Sequence, residues 1–202
     1  MDMKNFILLS IALLFIEMTA CKDSTDEMGW EISPGSKSQV IEKKIDGIAF
    51  KFCLLNEQGK PATVFNEGDN FSFYFSVTNQ SKKDFYYDGY RLAFDENFLR
   101  VYNLSNFDFE KSYKPLSHTD IGIAAYPFND GDIYIIKIPW LQHEKDSILC
   151  VENFCYESII QKPLIKGFYY TNFKYSFYFQ GQQDNNTVRT DSINFKINFK
   201  IQ

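Results

Sequence analysis

The amino-acid sequence predicts an all-β protein, a single antiparallel β-sandwich carried behind an N-terminal export segment. Three observations predict it. Phe71, Phe73, Phe75 and Val77 alternate with polar residues, and so do Ile193, Phe195, Ile197, Phe199 and Ile201; only a period of two puts each set on one face. Aromatic residues make up 18% of the chain and Phe alone numbers 21, a bias toward side chains that suit a pleated, half-buried surface. Turn residues recur between short apolar runs, as they do between strands of a sandwich.

The elements follow in chain order. Lys4 precedes an apolar run, Phe6 to Ile16, which has the size of a signal-peptide core and falls short of the roughly 20 residues of a membrane span. Met18-Thr19-Ala20-Cys21 then resembles the lipobox of bacterial lipoproteins. The resemblance implies a diacylglycerol on the Cys21 thiol, cleavage in front of Cys21, and a further acyl chain such as palmitate on the new terminus. Residues 1–20 are thus expected to be a signal peptide. Acidic residues soon after the cysteine, Asp23, Asp26 and Glu27, resemble the surface-export tag of lipoproteins from Bacteroidota. That likeness implies an outer-membrane address, on the cell surface rather than the periplasmic face, with the membrane as partner through the lipid on Cys21.

Residues 22–40 are mostly polar, and Ser33-Pro34-Gly35-Ser36 has the composition of a flexible linker. A lipidated tether is expected over 21–42 and the sandwich over 43–202, a length that suits one domain. Ile48 to Leu55 reads as the first strand, stopped by turn residues from Asn56 to Pro61, and Ala62 to Phe65 as a short second one. Phe71 to Thr78 is the clearest strand of the first half. Asp84 to Tyr87 returns after a polar turn, and Phe98 to Leu104 and the Ile-rich Asp132 to Trp140 follow. Gly167 to Phe179 is a long aromatic strand or pair of strands, and Ile193 to Ile201 closes the sheet. Residues 105–130 and 141–162 lack alternation and are expected to be long loops carrying short helices.

The segment Gly68 to Tyr87 comprises a turn, an alternating strand ending in Thr78-Asn79, a polar turn and a returning strand. It resembles immunoglobulin-like modules of bacterial envelope proteins, and more faintly the proteinase-inhibitor type of Ig-like domain. The Cys…Trp…Cys spacing of antibody domains is absent. Together with Cys21, the resemblance is to a small Bacteroidota-type envelope lipoprotein with an immunoglobulin-like β-sandwich.

Of four cysteines, lipidation of Cys21 leaves Cys53, Cys150 and Cys155. In an oxidising envelope a turn through Val151-Glu152-Asn153-Phe154 can bring Cys150 and Cys155 within bridging range, while the alternative is three reduced, buried thiols. The spacing is not that of a redox C-x-x-C motif.

The formal charge of −5 lacks the basic footprint of a nucleic-acid binder. The two histidines, His118 and His143, stand in no zinc-type spacing, so no metal or other cofactor is expected. Nucleophile elbows, phosphate loops and dinucleotide fingerprints are missing from the sequence. Asn129-Asp130-Gly131-Asp132 carries a fragment of a calcium loop but not its later ligands, and reads as a β-turn. Asp146-Ser147-Ile148 and Asp191-Ser192-Ile193, with Asp23-Ser24-Thr25, resemble the O-glycan acceptor triplet of exported Bacteroidota proteins. Tyr86, Tyr87, Tyr90 and Trp140 are the candidate ligand-stacking residues, since flat rings offer apolar faces with polar edges. The expected function is a membrane-anchored, non-enzymatic binding or accessory module of the cell envelope with an unidentified protein or glycan partner. The alternatives are a glycan-binding lipoprotein assisting polysaccharide uptake and a protease inhibitor of the Ig-like type.

Overall fold

The structure, a computed structural model, describes residues 29–116, 125–140, 148–151, 154–183 and 186–202. Among the described residues the body is all-β, with several antiparallel sheets and one short helix. The first strands are β1 (Gly29–Ile32), β2 (Ile41–Ile45), β3 (Ile48–Leu55), β4 (Val64–Phe65), β5 (Phe71–Asn79) and β6 (Phe85–Tyr87). After the helix α1 (Tyr90–Phe94) come β7 (Arg100–Asn103), β8 (Asp108–Lys111), β9 (Tyr113–Pro115), β10 (Tyr126–Phe128) and β11 (Ile133–Trp140). The chain ends with β12 (Ile148–Val151), β13 (Phe154–Ser158), β14 (Gly167–Tyr175), β15 (Tyr178–Gly181), β16 (Thr187–Arg189) and β17 (Ile193–Ile201).

Two large sheets face each other. One has the order β1-β17-β14-β7-β8, with β4 also on β17; the other is β11-β5-β3-β2. Strand β17 pairs antiparallel with β14 along its whole length, and parallel with β1 and then β4 on its other side. The alternation explains the assembly. Ile193, Phe195, Ile197, Phe199 and Ile201 are all buried while Asn194, Lys196, Asn198 and Lys200 face outward, half-buried. The same holds in β5, where Phe71, Phe73, Phe75 and Val77 are buried. Between the sheets the rings interlock edge to face, with Phe52 5.2 Å and Phe75 5.5 Å from Phe173, and Phe75 5.6 Å from Phe195, within the 4.5–7 Å range of favourable aromatic pairs. A smaller sheet, β10-β6-β15-β16, extends this core through Phe85, Tyr87, Phe128 and Phe179. A fourth, β12-β13-β9, adds Tyr113 and Tyr156.

Three expectations change. The segment 21–42 is not tether throughout: β1 joins the main sheet, Trp30 and Ile32 are 8% exposed, and the Trp30 ring stands edge-on to Phe195 at 4.9 Å. Composition concealed a strand because its two apolar residues, Trp30 and Ile32, sit among turn formers. Among their described residues, the regions 105–130 and 141–162 supply β8 to β10, β12 and β13; these strands have three to five residues, too few for alternation to register. The one helix among the described residues, α1, lies between β6 and β7. The linker between β2 and β3 is a two-residue hairpin, Asp46-Gly47, with φ of 47° and 86°. Both central φ angles are positive, as a type I′ turn requires, and a Cβ on Gly47 would lie 2.6 Å from the Ser81 backbone.

Cys155 is disulfide-bonded, and its register partner across the β12–β13 ladder is Cys150. Cys53 is a free thiol, fully buried in β3, and burial pushes its pKa up to about 11. Unfolding exposes a thiol that ionises near 8.5, so the unfolded chain loses its proton first as pH rises. The stability this proton linkage contributes is complete below about pH 8.5 and is lost as pH approaches 11. Denaturation of the protein and of Cys53→Ala between pH 8 and 11 checks this: the wild type declines more steeply, and its Cys53 resists alkylation until it unfolds.

Candidate functional site

A cavity of about 200 Å³ lies where the β10–β6 edge meets the start of β11. Its walls include Tyr87, Tyr90, Tyr126, Phe128, Asp132 and Tyr134. The volume is below the roughly 300–1,000 Å³ of pockets for drug-sized molecules, so it suits one ring or one side chain. A second hollow of about 340 Å³, shallower and more open, lies beside Asn56–Gly59 and Pro139 and is built largely from turn residues.

Each wall has a local cause. In β6, alternation turns Phe85 and Tyr87 inward and Tyr86 outward. Tyr87 stacks on Phe179 at 4.8 Å and meets Tyr134 edge-on at 5.5 Å. Gly89, at the start of α1, leaves room for Tyr134: a Cβ there would fall 2.4 Å from the ring. Tyr90, first residue of α1, lies 5.8 Å from Tyr126 with the rings tilted by 41°, so the two form an angled aromatic wall. Asn129–Asp132 forms a turn closed by the Asp132 N–H donating to the Asn129 carbonyl at 3.0 Å, and the Asp132 Oδ2 accepts from the Asn129 N–H at 2.6 Å. The Asp132 carboxylate therefore serves the turn and the cavity wall together.

Asn79 fixes this corner. Its Nδ2 donates to the Lys83 and Phe128 carbonyls at 2.7 and 2.9 Å, and its Oδ1 accepts from the Ser81 N–H and hydroxyl at 3.1 and 2.7 Å. Its backbone N–H donates to Asp132 O at 2.9 Å and its carbonyl accepts from Gly131 N at 2.8 Å. One buried amide thus ties the ends of β5, β10 and the turn before β11. The Tyr87 hydroxyl is buried beside the cavity with no hydrogen-bond partner among the described residues, and burial holds its pKa well above the ordinary phenol value. It is a neutral group able to donate to or accept from a polar guest.

Of the sequence candidates, Tyr87 and Tyr90 come together here. Tyr86 is 39% exposed but lies on the opposite face of the sheet. Trp140 is fully buried, parallel to Phe71 at 5.8 Å, so the ligand-stacking role expected of it is withdrawn: its ring is core. Tyr126 escaped sequence reasoning because β10 is three residues long. Cys21, His118 and His143 lie outside the described residues, and among the described residues no three His, Cys, Asp or Glu side chains group to hold a metal ion. Ser192, in the third acceptor-like triplet, is exposed. No protein-family model, no curated protein and no solved structure matches this chain.

Proposed function

We propose that the chain is a lipid-anchored, non-enzymatic binding module of the bacterial cell envelope, built on an immunoglobulin-like β-sandwich and presented from the outer membrane, on its cell-surface side. The anchor rests on the lipobox-like Met18-Thr19-Ala20-Cys21, and the sandwich reading on two sheets facing across an aromatic core. A bridge between Cys150 and Cys155 belongs to the same reading and staples the β12–β13 hairpin for life outside the cytoplasm.

The ligand we assign is a glycan, one sugar ring of which enters the Tyr90–Tyr126 cavity. The observation that carries this is the angled pair of rings beside polar groups, Asp132 and the Tyr87 hydroxyl. A pyranose has one apolar face for an aromatic wall and hydroxyls for the polar groups. A glycan array probed with the purified protein tests it. Binding to at least one glycan, weakened about tenfold or more by Tyr126→Ala, which corresponds to about 1.4 kcal/mol, is the expected result. A blank array, or binding indifferent to Tyr126→Ala, contradicts it.

A further inference from the structure

The outer face of the main sheet and one of its corners carry a second, separate set of features. Lys174, Lys196 and Lys200 project from this face of a chain whose net charge is −5. Lys196 pairs with Glu31 at 3.1 Å; among the described residues no carboxylate pairs with Lys174 or Lys200. Lys200 lies over the Phe168 ring at 5.8 Å and Lys196 over Tyr170 at 5.7 Å, and Tyr170 stacks on Tyr102 at 5.1 Å.

At the Phe168 end the surface turns apolar. Phe168 is 52% exposed, Leu104 68%, Phe107 61% and Ile165 68%. The β14–β7 register, Tyr169 opposite Asn103, brings Leu104 to the Phe168 end of the sheet, and Phe107 and Ile165 are linked at the same rim through Phe109 and the inward-facing Tyr169. Phe107 meets Phe109 at 4.9 Å, Phe109 meets Tyr169 at 5.6 Å, and the Tyr169 hydroxyl donates to the Ile165 carbonyl at 2.8 Å. The Tyr170 hydroxyl also holds the β7–β8 loop through Asn106 at 2.8 Å. Large apolar and aromatic side chains beside lysines are the combination that settles into a membrane interface, with rings at headgroup depth and ammonium groups on phosphates.

We propose that this corner docks on the phosphate-bearing headgroups of the membrane into which the Cys21 lipid inserts, laying the domain on the bilayer by its main sheet. The proposal rests on the lipid-anchor reading for its geometry. Residues 22–28 alone separate Cys21 from β1, and fully extended they reach about 28 Å. Strand β1 starts in the Lys174–Asn194 row of the sheet, about 20 Å along β14 from Phe168. The connector is thus long enough for the apolar corner to return to the bilayer holding the lipid, and too short to carry the domain far from it. The charge on the face selects the occupant: an anionic surface complements Lys174 and Lys200.

The test uses the full chain made in an exporting bacterium, extracted in detergent and reconstituted into vesicles with or without anionic phospholipid. Amide exchange across 103–109 and 165–169 is expected to slow about tenfold on anionic vesicles relative to detergent, and the triple variant Leu104→Ser, Phe107→Ser, Phe168→Ser to lose that slowing while keeping core protection. No slowing on either vesicle overturns the proposal. Slowing produced by a soluble acidic polysaccharide in detergent, and not by vesicles, overturns it in favour of a glycan-binding face. The mass of the Cys21 peptide reports the anchor separately. Lipid present without slowing leaves the anchor and removes the docking; lipid absent removes the anchor and its geometric argument, and overturns the docking as stated.

Discussion

Phe195→Ala is expected to cost about 3–5 kcal/mol of stability, a large part of the 5–15 kcal/mol that holds a typical domain together. Phe195, the third residue of β17, has no exposed surface. Its ring lies 4.8 Å from Phe173, 4.9 Å from Trp30, 5.6 Å from Phe75 and 6.1 Å from Phe52. It therefore touches β1, β14, β5 and β3 at once, and truncation opens a cavity that rings held by two sheets cannot collapse to fill. Phe195→Leu keeps much of the volume and is expected to cost well under half as much. Urea denaturation of the three proteins measures the difference, and equal midpoints for Phe195→Ala and wild type would disprove the account of the core.

The second large effect is expected at Asn79, where Asn79→Ala removes both donors and the acceptor of one buried amide. The carbonyls of Lys83 and Phe128 lose their Asn79 partner, as does the Ser81 hydroxyl. A buried polar group left unpaired costs about 1–3 kcal/mol, and water reaches some of these, so the total is expected near 3 kcal/mol. The change also loosens the end of β10 and the turn carrying Asp132, both of which wall the cavity. Asn79→Ala should thus weaken glycan binding as well as stability, whereas Phe195→Ala, remote from the cavity, should spare binding in the fraction that remains folded. Thermal melts and titrations on the same preparations separate the two.

Much of the fold was legible because β5 and β17 are long, alternate strictly and bury one face completely. Strand β11 was legible from its isoleucines, and β14 and β15 from their aromatics. Strand β1 was not, because Trp30-Glu31-Ile32 is a short alternating run beside a Ser-Pro-Gly turn, and its place was decided by a remote partner, β17. The β2–β3 hairpin did carry a local signal, Asp46-Gly47 between Ile45 and Ile48, but β2 itself did not read as a strand, because Glu42, Lys43 and Lys44 fill the space between its two isoleucines. At the site, aromatic content alone did not distinguish Trp140, whose neighbours in β11 and β5 bury it, from Tyr90, which a helix start places at a cavity edge. Tyr126 became visible only through its pairing with Tyr87 in the β10–β6 ladder.

The central claim is that the Tyr90–Tyr126 cavity holds the ligand. The most direct measurement is an amide-resolved NMR titration of the protein with a glycan that it binds. Shifts concentrated on Tyr90, Tyr126, Asp132 and Ile133, and abolished in Tyr126→Ala, are the result expected. Shifts confined to the Tyr102–Tyr170 face, or a spectrum unchanged at saturating glycan, would contradict it.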